Sequence, residues 1–150
     1  MTNPMAPIHC QQAKDSTFLL GNRFLKQHGQ ATAGRADLLF TIHFEQTLIG
    51  ATWLRPLDNY LWLRSLFIIQ EYRHQGFASA LLKHIQQSLG QTQKSSGIVC
   101  LVKPDLSDFY QHNSYVVAEL ASLAKAVQTT FEPYLRQHPA WQIFIYETSL

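Results

Sequence analysis

Apolar positions in this chain fall into two alternating patterns, a helical spacing near 3.6 and the runs or alternations of strands. Phe18, Leu19, Phe24 and Leu25 follow Asp15-Ser16, a pair suited to an N-cap, and Gly29 supplies a stop, which predicts a first helix despite Gly21 inside it. Strands are predicted over residues 38–44 and 48–54, with the polar turn Glu45-Gln46-Thr47 between them. A third strand over 60–69, past the turn at 56–59, is almost wholly apolar and reads as buried on both faces. Ala78, Leu81, Leu82, Ile85 and Leu89 mark one face of a second helix, ended by Gly90. A polar loop at 91–96, a buried strand at 97–102, a short helix at 105–112 and a strand at 114–118 follow. A helix near 120–131 and an alternating strand at 141–146 close the chain. Three antiparallel strands followed by alternating helices and strands make an α/β layer on a mixed sheet.

Composition narrows the picture. At 150 residues with 46% hydrophobic and 12% aromatic positions, the chain suits one domain over residues 1–150 with a sizeable core, not disorder. Charged residues are only 15%, and 12 Lys+Arg against 10 Asp+Glu leave a formal charge of +2, with no basic stripe for nucleic acid. Cys10 and Cys100 lie far apart without ligand spacing, and read as reduced core thiols of a cytoplasmic protein, with no metal. The first seven residues lack a basic segment followed by an apolar one, and no run approaches the roughly 18 apolar residues of a membrane span, so no membrane partner is expected.

Chemistry concentrates where the third strand gives way to the second helix, at Arg73-His74-Gln75-Gly76-Phe77-Ala78. A glycine-bearing turn into a helix leaves backbone N–H groups without partners, aimed at one spot where the helix dipole favours an anion. Gly76 and Ala78 would let a phosphate come close to the backbone. A purely structural turn fits the hexapeptide equally well. Neither the dinucleotide Gly-x-Gly-x-x-Gly nor the Gly-Lys-Ser/Thr of nucleotide hydrolases is present.

The longer stretch Leu63-Arg64-Ser65-Leu66-Phe67-Ile68-Ile69-Gln70-Glu71-Tyr72-Arg73-His74-Gln75-Gly76-Phe77-Ala78-Ser79-Ala80-Leu81-Leu82 resembles the acyl-CoA signature of the GNAT superfamily of acetyl-CoA-dependent N-acetyltransferases. That signature has an Arg/Gln-x-x-Gly-x-Gly/Ala turn after a buried strand and a Leu-Leu pair on the helix, usually with a proline where Gln70 stands here. Phe109-Tyr110-Gln111-His112-Asn113-Ser114-Tyr115 resembles the family's second motif, Phe-Tyr-x-x-x-Gly-Phe, with Asn113-Ser114 in place of the glycine. Asn113 tolerates the left-handed conformation such a helix stop needs. The resemblance runs from about residue 37 to 141.

It implies a GNAT-like fold: a mixed, mostly antiparallel sheet of about six to seven strands flanked by helices. It implies acetyl-CoA as co-substrate, with its pyrophosphate on the turn formed by Gln75, Gly76, Phe77, Ala78 and Ser79. His74 would belong to the same turn, and Arg73 would add charge or shape the loop. Main-chain groups of Leu66, Phe67 and Ile68 would run beside the pantetheine arm, one amide polarising the thioester. Tyr110 would be the general acid that protonates the departing thiolate. The family often places a carboxylate base on the third or fourth strand, where this chain offers Arg64, Ser65 and Cys100. His43, Asp58, Glu71 and Asp105 near strand ends are the remaining candidates, beside deprotonation through water or in bulk. Arg64 suggests an acceptor with a carboxylate. The implied activity is acetyl transfer to a primary amine of a small molecule, amino acid or peptide; a non-catalytic CoA-binding sensor or interaction module is the alternative. A homodimer stays open.

Overall fold

The computed structural model describes residues 7–92 and 97–148. The N-terminal residues before Pro7 and positions 93–96 of the expected polar loop lie outside them. The elements are β1 (Ile8–Gln12), α1 (Ser16–Gln27), β2 (Leu38–Phe44), β3 (Thr47–Leu57), β4 (Tyr60–Ile68), α2 (Phe77–Thr92), β5 (Gly97–Val102), α3 (Ser107–His112), β6 (Val116–Ala118), α4 (Lys125–Gln137) and β7 (Gln142–Glu147), with short 3-10 turns at Gln70–Tyr72, Pro104–Leu106 and Leu120–Ser122. The strands form a seven-stranded mixed α/β sheet in the order β1-β2-β3-β4-β5-β7-β6, mostly antiparallel, as expected from the resemblance. The residues gather into two compact units, Met1–Arg55 with Leu63–Ser88, and Pro56–Trp62 with Leu89–Leu150.

In the first unit, β1 pairs antiparallel with β2, and β2 with β3. The β2–β3 connection is tight because Glu45 (φ 49°) and Gln46 (φ 72°) both adopt the left-handed conformation of a two-residue hairpin turn. Alternation gives β2 two faces. Phe40 and Phe44 meet His84 and Phe77 of α2, whereas Leu39 and Thr41 lie under α1, where a Cβ on Gly21 would stand 2.8 Å from Leu39 and 3.2 Å from Thr41. Gly21, a weak point for a helix in isolation, thus lets α1 lie close on the sheet. A core of Ala13, Phe24, Leu25, Ala33, Leu39, Ala51 and Trp53 fills that face.

In the second unit, Tyr60–Trp62 pair in parallel with Gly97–Val99, and β7 lies antiparallel between β5 and β6. Trp62 meets Phe131 and Tyr134 of α4 edge-on, and Val99, Val127, Ile143 and Ile145 complete the core.

Several expectations need correction. Strand β1 lies in residues assigned no element above. Asp15 does not cap α1 through its side chain; the Thr17 hydroxyl instead ties the helix start to the chain before it, accepting from Lys14 N and donating to Lys14 O. Helix α2 passes through Gly90 to Thr92. The last helix starts five residues late, at Lys125, and continues through Pro133 to Gln137. Strand β4 is buried only at Leu61–Leu63 and Ile68; from Arg64 to Phe67 it is half-buried.

Candidate functional site

The turn into α2 is built from both ends. Upstream, Ser65 adopts φ 55° in the middle of β4, a left-handed residue that breaks the regular pleat just before Leu66, Phe67 and Ile68. The strand is held to β3 on both sides of this break: Thr52 Oγ1 donates to Arg64 O at 2.8 Å, and Ile69 N donates to Ile49 O at 2.8 Å. A Cβ on Gly50 would stand 2.8 Å from the Phe67 carbonyl and 2.5 Å from Ile68 Cδ1, so only glycine lets the two backbones come this close. Downstream, Phe44, Tyr72 and Phe77 form a ring cluster, with centroids 5.3–5.9 Å apart, that anchors the turn on β2.

Between these anchors the backbone turns through His74 (φ 64°) and Gly76 (φ 90°). The first intrahelical bond runs from Ala80 N to Gly76 O at 3.0 Å, so the Phe77 and Ala78 amides ahead of it have no intrahelical acceptor. No acidic residue stands in the first turn of α2 to offset the positive end of the helix. A Cβ built on Gly76 meets nothing within 4 Å. The turn is therefore open on the side of Gly76, with backbone donors at the start of a helix, a combination that can receive a phosphate.

Arg73 Nε is turned back on the strand, where it donates to Ile68 O at 2.7 Å, while its guanidinium carbon lies 5.3 Å from the Phe67 ring centroid. Of the two roles open to it in sequence, the geometry supports shaping the loop. Gln75 Nε2 donates to Glu71 O at 3.1 Å and braces the same turn.

Arg64 is half-buried with its guanidinium carbon 5.2 Å from the Trp53 ring centroid; Arg55 lies 4.8 Å from the same centroid. Arg55 also forms a two-point contact with the buried Asp37, Nε to Oδ1 at 3.1 Å and Nη2 to Oδ2 at 3.0 Å. Trp53 Nε1 donates to Ala31 O, and Asn22 exchanges two hydrogen bonds with Ala33. The segment 28–37 is thus pinned to the sheet, a rigidity that its lack of a readable motif did not announce. His43 faces α1, and Glu71 and Asp105 are exposed, as is Asp58.

In the second unit, Tyr110 sits in the short α3, 7% exposed, its ring against Phe109, Tyr115 and Phe144. Burial, with Cys100 adding to it, pushes its phenol well above the ordinary tyrosine range, which makes it a weaker acid than an exposed tyrosine. The Tyr110 carbonyl accepts from both Asn113 N and Tyr115 N at 3.0 Å. The left-handed residue that ends α3 is Ser114 (φ 73°), not Asn113, whose φ is −104°. Asn113 is instead buried, donating from Nδ2 to Phe109 O at 2.8 Å. Among the described residues no cluster of three His, Cys, Asp or Glu is placed to hold a metal ion, and no helix is long and apolar enough to cross a membrane.

No curated protein matches the chain. Solved structures do. N-acetylglutamate synthase from Neisseria gonorrhoeae, complexed with coenzyme A and N-acetyl-glutamate, superposes with a TM-score of 0.67 at 14% identity, over 95% of this chain but 35% of that one. The Escherichia coli ribosomal-protein-S18-alanine N-acetyltransferase gives 0.67 at 11% identity over 95% of each chain. Arabidopsis thaliana Naa50, in complex with a bisubstrate analogue CoA-Ac-MVNAL, gives 0.62 at 14% identity over 93% of this chain and 97% of that one. At such identities the likeness establishes the fold. The acetyltransferase (GNAT) domain model matches residues 35–117, a stretch that holds the β4 break, the Gly76 turn and Tyr110, and the chain belongs to the GNAT acetyltransferase family.

Proposed function

We propose that the chain transfers an acetyl group from acetyl-CoA to the primary amine of a small molecule, amino acid or peptide, by direct attack of the amine on the thioester. The observation that carries this reading is the Gly76 turn, whose unobstructed backbone and uncompensated helix end fit the pyrophosphate of coenzyme A. Bound acetyl-CoA would supply an activated acetyl thioester. The Phe77 and Ala78 amides bind the anion, with Gln75, His74 and Ser79 completing the turn, and Arg73 holds the loop in shape from behind. Leu66, Phe67 and Ile68 offer main-chain groups beyond the Ser65 break; one amide there aimed at the developing oxyanion contributes roughly 10²–10³ in rate. Tyr110 protonates the thiolate as it leaves, the role that the family's second motif gives its tyrosine. Neither β4 nor β5 carries Asp or Glu, which supports loss of the amine proton through water or in bulk before attack. Arg64 recognises a carboxylate on the acceptor.

The neighbours support the class of acceptor, since the synthase is complexed with an N-acetylated amino acid and Naa50 with a CoA–peptide analogue. The decisive measurement is release of free thiol from acetyl-CoA over a panel of amino acids, polyamines and peptides, beside the melting temperature with and without acetyl-CoA. Turnover with stabilisation supports the reading. Stabilisation without thiol release against any amine favours the non-catalytic CoA-binding module, and no stabilisation at millimolar acetyl-CoA removes both. If Arg64→Ala uses acidic and neutral acceptors as the parent does, the carboxylate assignment fails alone.

A further inference from the structure

We infer that the cleft between α1 and the β1–β3 part of the sheet is a binding site for a small carboxylate that carries a second hydrogen-bonding group on a short aliphatic stem. The cleft encloses about 350 Å³, a volume suited to a small molecule. Its sheet wall is polar where a helix-covered face is ordinarily apolar. Gln11 and Thr41 are register partners, as are His9 and His43, so alternation brings Gln11, Thr41 and His43 to the face under α1.

Thr41 is 2% exposed, and neither its Oγ1 nor the buried His43 Nδ1 has a hydrogen-bond partner. Buried polar atoms are nearly always satisfied; both residues line the cleft, and an occupant that reached these two atoms would satisfy them. Burial, then the charge of His9, lower the His43 pKa, which keeps its ring neutral at neutral pH. A neutral imidazole and a hydroxyl can each donate or accept, which suits a ketone or hydroxyl on the ligand. Phe24 and Leu48 supply an apolar wall for the stem. Arg23 stands exposed on the lining, without an ion-pair partner among the described residues, and no carboxylate lines the cleft. The one formal charge offered to a ligand is therefore positive. The cleft lies on the α1 face of the sheet, whereas the rings that anchor the Gly76 turn lie on the α2 face.

The test is calorimetric titration of the full chain with levulinate, pentanoate and levulinamide. Levulinate is expected to bind, with pentanoate (no ketone) and levulinamide (no charge) each weaker by roughly fivefold or more. Arg23→Gln should abolish the preference for levulinate over levulinamide only. Thr41→Val should abolish the preference over pentanoate only, and Thr41→Ser, which keeps the oxygen, should restore it. No heat with levulinate at millimolar concentration, or binding that neither substitution changes, overturns the proposal.

Discussion

Replacing Gly76 by alanine separates the conformation of the turn from its proposed use. At φ 90° an L-residue is strained, at a cost of roughly 1–2 kcal/mol, and for a chain of this length each kcal/mol lowers the melting temperature by about 2–4 °C. No steric penalty adds to this, because the new Cβ meets nothing within 4 Å. Gly29 supplies the control: φ 72°, the same open surroundings, at the end of α1. Both variants should therefore melt roughly 2–8 °C below the parent. Only Gly76→Ala places a methyl where a pyrophosphate would meet the backbone. Acetyl-CoA at 100 times its dissociation constant stabilises the parent by about 2.7 kcal/mol, some 5–11 °C. A tenfold loss of affinity removes about 1.4 kcal/mol of that. Scanning fluorimetry with and without acetyl-CoA reads both quantities: Gly29→Ala should keep the full ligand shift and Gly76→Ala should lose about half of it or more. Equal ligand shifts in the two variants would refute the phosphate-cradle reasoning, whatever their melting temperatures without ligand.

Tyr110→Phe should lower turnover by roughly 10² or more, with acetyl-CoA binding retained; steady-state thiol release beside calorimetry measures the split, and unchanged turnover removes the acid role. Gly50→Ala forces a methyl against the Phe67 carbonyl and Ile68, and should cost about 1–3 kcal/mol in urea denaturation; a neutral result would mean that β3 and β4 separate easily. Burial, with a smaller effect from His9, holds the His43 and His84 imidazoles below their ordinary pKa of 6.5. The unfolded chain then binds more protons, so stability is full above about pH 6.5 and falls as the pH drops below it. Melting curves from about pH 7.5 to 5.5 should show this decline, and His84→Gln should flatten it; a slope unchanged in that variant would exclude His84 as a source.

The parts of the fold that were legible in sequence are those where one physical cause dominates. The β2–β3 hairpin could be read because two β-rich runs flank a polar turn, and the Gly76 turn because Gly76 sits between a strand and an amphipathic helix. The details that were not legible depend on distant partners. Whether Arg73 points at a ligand or back at the strand depends on Ile68 O lying 2.7 Å from its Nε. The Ser65 break leaves no mark in composition, since serine is common in strands and turns alike. The left-handed position falls to Ser114 and not to Asn113 because Phe109 O lies within reach of the asparagine amide, which favours burying that side chain.

Strand β1 lacks the apolar alternation of a strand, and the reason bears on the cleft beneath α1. Pattern reading finds a strand by its inward apolar residues, but in Ile8–Gln12 the residues turned toward the α1 face are His9 and Gln11. Opposite them in register stand His43 and Thr41, equally polar. A face covered by a helix gains stability from apolar contacts, and polar groups there leave that gain unrealised unless something else engages them. At the other end of the same face Leu39, Ala51 and Trp53 pack under α1 in the ordinary way. The polarity is confined to the end where a cavity is found and where Thr41 Oγ1 and His43 Nδ1 have no protein partner. Polar pairs facing each other across two strands, beside the cleft that Arg23 lines, follow from the requirement the proposed site makes: Gln11, Thr41 and His43 serve a ligand instead of the core.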